Sequence, residues 1–114
     1  MKMCGKTERF LGLLGLAKRA GKVVWGKDRL KKAIRSRRLR LLLLSSDIGE
    51  TVERDLIYKA GRRKIYCVRL CGVTKEDLGQ ALGSPGGISA VGITDRKLAE
   101  KIMNVLPRGD EIGA

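Results

Sequence analysis

No histidine occurs among the 114 residues, which removes the imidazole that Ser-His-Asp and Cys-His nucleophilic sites use to move a proton. Cysteine is scarce as well. Cys4, Cys67 and Cys71 are odd in number, so any disulfide scheme leaves one thiol unpaired, as suits a reducing compartment. Cys67 and Cys71 stand four apart, too wide for a Cys-x-x-Cys redox pair. A zinc site usually draws four ligands from Cys and His, and three thiols without histidine fall short. No metal and no other cofactor is therefore expected. Only four aromatics are present, Phe10, Trp25, Tyr58 and Tyr66, and none lies in the kind of run with which an RNA-recognition motif stacks bases. No stretch of about 18 apolar residues could span a bilayer. The opening MKMCGKTERF lacks the apolar core and cleavage site of a signal peptide. The expected location is the cytoplasm, away from membranes.

What the chain has in excess is positive charge. The formal balance is +13, and residues 1–64 hold 19 Lys/Arg against 6 Asp/Glu, whereas residues 65–114 hold 6 of each. Residues 18–40 carry eleven basic side chains and one acid, Asp28. A one-sided excess repels itself unless a polyanion compensates it, and a clustered basic patch is the electrostatic footprint of nucleic acid. A membrane surface is the weaker candidate, because the basic segment exposes no apolar stripe for lipid.

The pattern along the chain alternates helices with strands. A helix is expected over residues 7–20, burying Phe10, Leu13, Leu14 and Ala17, with Gly21 as its stop. Gly12 and Gly15 within it suggest close packing against a neighbour. A short extended piece follows over Val23–Trp25, then a helix over residues 27–36 that buries Leu30, Ala33 and Ile34. The apolar run from Arg40 to Ser45 suits a strand covered on both faces. A helix over residues 50–60 should bury Val52, Leu56 and Ala60 and end at Gly61. A strand over residues 65–70 precedes a helix over residues 75–82, with Thr74 and Asp77 forming a capping box. A last strand spans residues 88–93, and Asp95 caps a helix through Met103. The polar tail from Pro107 is expected to fray. This alternation describes an α/β sandwich in one domain, residues 1–114, with its sheet covered on both faces.

A phosphate-loop look-alike and a dinucleotide-site look-alike both fail on context. Gly5-Lys6-Thr7 has no Gly-rich loop or strand before it, and Gly12-x-x-Gly15 lies inside a helix. A helix-turn-helix is disfavoured because a VVW strand separates the first two helices. The informative stretch is GKDRLKKAIRSRRLRLLLLSSDI, residues 26–48. With Leu30, Ala33 and Ile34 inward, Asp28, Arg29 and Lys32 face out near the helix start. Free backbone N–H groups there suit phosphate, and Gly26 permits close approach. Lys27, Lys31, Arg35, Arg37, Arg38 and Arg40 surround the point. A plainer reading is a solvated helix with an Asp28–Lys32 pair four residues apart.

Three segments in this order resemble the kink-turn-binding ribosomal-protein family of the L-seven-Ae type, especially its small bacterial YlxQ-like branch. LGLLGLAKRAGKVVWG resembles the first helix and strand of that branch. GKDRLKKAIRSRRLRLLLLSSD resembles the family's Gly-x-Asn-Glu-x-x-Lys helix with its following strand, and LGQALGSPGGISAVGITD resembles the later helix, loop and strand. The resemblance covers about residues 7–103. It implies a three-layer α-β-α sandwich around a mixed, roughly four-stranded sheet. It also implies recognition of a sharply bent RNA with sheared G·A pairs. The family's Asn, Glu and Lys fall here on Asp28, Arg29 and Lys32, and its second loop on Ser84, Pro85, Gly86, Gly87 and Ile88, which would pack against flipped-out nucleotides. Asp28 in place of Asn is an acceptor only. Arg29 in place of Glu inverts the charge, yet it can donate two bonds to guanine O6 and N7.

The expected function is non-catalytic binding of structured RNA, ribosomal or otherwise, through a basic helix N-terminus. The expected contact residues are Gly26, Lys27, Asp28, Arg29, Lys31, Lys32, Arg35, Ser84, Pro85, Gly86, Gly87 and Ile88. One rival is a protein–protein adaptor that uses the same fold without RNA, which the +13 balance disfavours. Another is an RNA-acting enzyme with magnesium at Asp47 and Glu50, although Asp47 equally suits a helix cap.

Overall fold

Four consecutive leucines, Leu41 to Leu44, set the plan of the molecule. Successive side chains on a strand point to opposite faces, and all four are buried. Leu41 and Leu43 enter one hydrophobic cluster, Leu42 and Leu44 the other. A sheet with apolar side chains on both faces needs helices on both, and the chain supplies them. The computed structural model describes residues 5–106 and 108–113, with side chains over residues 7–106. Cys4 and Pro107 lie outside the described residues.

The elements run α1 (Gly5–Arg19), β1 (Val23–Trp25), α2 (Lys27–Arg35), β2 (Leu41–Leu44), α3 (Glu50–Arg62), β3 (Cys67–Leu70), α4 (Lys75–Leu82), β4 (Ala90–Ile93), α5 (Arg96–Asn104) and β5 (Arg108–Gly113). The sheet order is β1-β4-β2-β3-β5. β2 and β3 are parallel, while β1 with β4, β2 with β4 and β3 with β5 are antiparallel. Phe10 and Leu14 of α1, Leu78 and Leu82 of α4, and Ala99 and Ile102 of α5 cover one face. Leu30, Ala33 and Ile34 of α2 and Leu56 and Ala60 of α3 cover the other. The chain thus adopts the three-layer α-β-α sandwich around a mixed sheet that the sequence implied.

Local signals act where expected at α4 and α5. Thr74 accepts from the Asp77 N–H at 3.2 Å while Asp77 accepts from the Thr74 N–H at 3.0 Å. Asp95 accepts from the Leu98 N–H at 2.9 Å. Gly15 lies against the Ala81 carbonyl of α4, with 3.7 Å left for a β-carbon.

Five expectations are corrected. Gly12 faces open space, so it marks no close approach. Leu13 is only partly buried. Val52 is 47% exposed rather than buried. α3 continues through Gly61 to Arg62, and the left-handed residue that follows is Lys64, at φ 58°. The tail beyond residue 107 pairs with β3 as a fifth strand, its register broken by irregularities. Backbone pairing with β3 gives this polar sequence its place at the sheet edge.

Candidate nucleic-acid interface

The start of α2 is shaped by Gly26. Its backbone sits at φ 97° and ψ 140°, a region that L side chains rarely adopt. A β-carbon there would meet nothing within 4 Å, so the backbone angle, not crowding, calls for glycine. The Leu30 N–H donates to the Gly26 carbonyl at 2.9 Å and opens the helical ladder. No side chain of Gly26 can cap this end, so the first-turn amides have neither an intrahelical partner nor a cap from that residue. Lys27, Asp28, Arg29, Lys32 and Arg35 are exposed and Lys31 is half-buried. Among the described residues no ion pair joins Asp28 to Lys32.

The second expected segment is anchored at both ends. Gly83 closes α4 in the left-handed conformation. The Ser84 N–H donates to the Gly79 carbonyl at 2.8 Å, and the Ile88 N–H to the Lys75 carbonyl at 3.0 Å. A side chain on Gly79 would collide with the Ser84 carbonyl at 2.6 Å and the Gly87 α-carbon at 3.0 Å. The Gly-rich loop is therefore packed directly on α4, and Ile88 is buried in the core beneath it.

Between the two segments runs a groove of about 530 Å³. Trp25, Gly26, Lys27, Leu30 and Lys31 form one wall, Gly87, Ile88, Ser89 and Ala90 another, and Thr51, Val52, Asp55 and Leu56 of α3 a third. Of the expected contact residues, the groove brings together Gly26, Lys27, Lys31, Gly87 and Ile88. It does not include Asp28, Arg29, Lys32 and Arg35, which lie on α2 outside it, nor Ser84, Pro85 and Gly86.

Several lining residues carried no functional reading in the sequence. Trp25 read only as strand, although its place beside Gly26 was a usable signal. Periodicity puts Val52 in the core, and its exposure is what places it in the groove. Thr51 and Asp55 gave no signal, because only the tertiary packing of α3 brings them near β1. The Lys59 ammonium bonded to Asp55 at 2.9 Å holds that carboxyl below the usual carboxylate range, with the charges of Lys31 and Lys27 adding to the effect. Asp55 is thus the acidic member of a cluster with Lys59, Lys31 and Lys27.

The acidic pair once open to magnesium is otherwise engaged. Asp47 accepts from the Lys75 N–H at 2.8 Å, capping α4 rather than the adjacent α3. Glu50 pairs with Arg54 at 3.0 Å. Among the described residues no three Cys, Asp or Glu side chains are grouped to hold a metal ion. No described helix is long and apolar enough to cross a membrane.

Residues 8–103 match the sequence profile of the ribosomal protein L7Ae/L30e/S12e/Gadd45 family. The chain is 33% identical over 94 residues to RNA-binding protein YlxQ of Bacillus subtilis strain 168, covering 82% of this chain and 91% of that protein. It is 24% identical over 102 residues to RNA-binding protein YlxQ of Enterococcus faecium, covering 90% and 95%. A solved structure of a protein of unknown function from Bacillus halodurans C superposes with a TM-score of 0.75 at 31% identity, covering 84% of this chain and 94% of that one.

Proposed function

Because the chain belongs to the ribosomal protein L7Ae/L30e/S12e/Gadd45 family, we propose that it is a non-catalytic RNA-binding protein of the cytoplasm, one domain that recognises structured, sharply bent RNA of the kink-turn kind. The observation that carries this reading is the groove in which Lys27 and Lys31 at the start of α2 meet Gly87 and Ile88 of the second loop. The two relatives named as RNA-binding proteins support it.

In this reading the first-turn amides of α2 and the flanking Lys27, Lys31, Lys32 and Arg35 neutralise phosphates. An extruded nucleotide enters the groove, where Trp25 and Val52 supply apolar surface and Asp55 an acceptor. Asp28 accepts from a base edge, and Arg29 donates to guanine O6 and N7. Because Arg29 donates where the family's Glu accepts, the preferred base edge is shifted toward acceptors. The RNA is ribosomal or another structured species.

Binding to a kink-turn RNA and to a straight duplex of equal length, each over a salt series, tests the reading. Phosphate contacts alone lose about 10³–10⁵ in affinity between 50 and 200 mM salt when roughly 6–10 are made. A bent RNA that keeps its advantage at high salt supports shape readout. Two RNAs that fade together leave only general phosphate binding and end the kink-turn assignment.

A further inference from the structure

The basic surface does not end at the first groove. Lys31 also lines a second groove, of about 310 Å³, between α2 and α3. Five of its side chains are cations: Lys31, Arg35, Lys59, Arg62 and Arg63. Lys59 is paired with Asp55, whereas the other four have no carboxylate within ion-pair distance among the described residues. Tyr58 lies among them and is 63% exposed, in a chain with only four aromatic residues. Its ring is not loose. The Arg62 guanidinium lies 5.9 Å from the ring centroid, and Arg62 Nη1 donates to the Tyr58 hydroxyl at 3.3 Å.

A cationic groove with an exposed aromatic face is the chemistry that holds single-stranded nucleic acid, the cations following phosphates while a base stacks on the ring. A duplex hides the faces of its bases and would leave Tyr58 unused. Resting on the RNA-binding reading above, we infer that the α2–α3 groove takes an unpaired RNA strand leaving the bent segment. One base stacks on Tyr58, Arg35, Arg62 and Arg63 neutralise its phosphates, and Lys31 bridges the strand to the first groove.

The test uses the full chain, a kink-turn RNA, and the same RNA with about six unpaired uridines at its 5′ or its 3′ end. Trp25, the single tryptophan, lines the first groove, so its fluorescence reports core binding separately. One extension should tighten binding by ~5-fold or more, the lower end for one stacked base, and should steepen the salt slope by about 0.7 for each added phosphate contact. Tyr58→Ala should abolish that gain, as should the double change Arg62→Gln with Arg63→Gln. Both variants should bind the unextended RNA as before, and Lys97→Gln with Lys101→Gln should keep the gain. An extension that adds nothing, or a gain that survives in both groove variants, overturns the inference while the core reading stands. Failure of the unextended RNA to bind the unaltered protein overturns the core reading, and the inference falls with it.

Discussion

A β-carbon on Gly79 would stand 2.6 Å from the Ser84 carbonyl oxygen, so α4 and the loop after it touch where no side chain fits. The obstructing atom is backbone, which cannot swing aside as a flexible side chain would. Gly79→Ala should therefore displace residues 84–87 and cost about 1–3 kcal/mol, the usual range for overpacking a tight site. Gly12→Ala is the matched control, because open space surrounds Gly12 in α1. It should stabilise by roughly 0.5–1 kcal/mol, since alanine loses less entropy than glycine in a helix. Urea denaturation separates the two, and RNA binding should weaken only for Gly79→Ala.

Lys32 and Lys101 are both exposed lysines, but α2 and α5 cover opposite faces of the sheet. A purely diffuse attraction would make them nearly equivalent. A face at the start of α2 makes them different. Lys32→Ala should lower the salt slope of RNA binding by about 0.9 if one duplex phosphate contact is lost, and Lys101→Ala should leave it unchanged. Equal losses in the two variants would count against the α2 face.

Much of the fold is legible in the sequence, and the reasons differ by element. Leu41 to Leu44 form an unbroken apolar run, which suits a strand covered on both faces. The Thr74–Asp77 spacing marks a helix start because both halves of a capping box are local. Val52 could not be read correctly, since periodicity places it in line with Leu56 and Ala60. The core under α3 stops at the first groove, and a one-dimensional pattern does not record that edge. The residues beyond 107 looked like a frayed tail because β5 gains its place from backbone pairing with β3. The two grooves were only half visible. α2 advertises itself by charge, whereas Asp55, Thr51 and Tyr58 acquire meaning once α3 is packed beside it.

Asp47 reaches across 28 residues to cap α4, accepting from the Lys75 N–H. That contact ties the loop after β2 to the helix that carries the Gly-rich loop at residues 84–87. Asp47→Ala should cost about 1 kcal/mol, as loss of an N-terminal cap typically does. Asp47→Asn retains a side-chain oxygen acceptor and should cost less. If Asp47 instead served a bound divalent ion, chelator would alter the thermal midpoint of the unaltered protein and not that of Asp47→Ala, a result that would revive a metal role.

Cys67 offers a test of the core itself. Burial in β3 is the main cause that pushes its thiol up to about 12, the Glu53 carboxylate adds to the rise, and Arg69 opposes it. In the unfolded chain the same thiol loses its proton near its ordinary value of 9.0. Between those two values the folded state holds a proton that the unfolded state has released. Stability must therefore fall as pH rises across that window, with a slope of at most about 1.4 kcal/mol per pH unit from this group. Below pH 9 the contribution is constant. The diagnostic quantity is the difference between the unaltered chain and Cys67→Ala, which cancels every other group's contribution. Cys67→Ala should be less stable at pH 7 through lost packing, and its disadvantage should shrink as the pH is raised from 9 toward 12. In a Cys4→Ser background at pH 8, the exposed Cys71 should react with a thiol reagent in its first phase, and Cys67 only as the protein unfolds. Equal labelling rates for the two thiols would mean that β3 opens far more readily than its buried position allows.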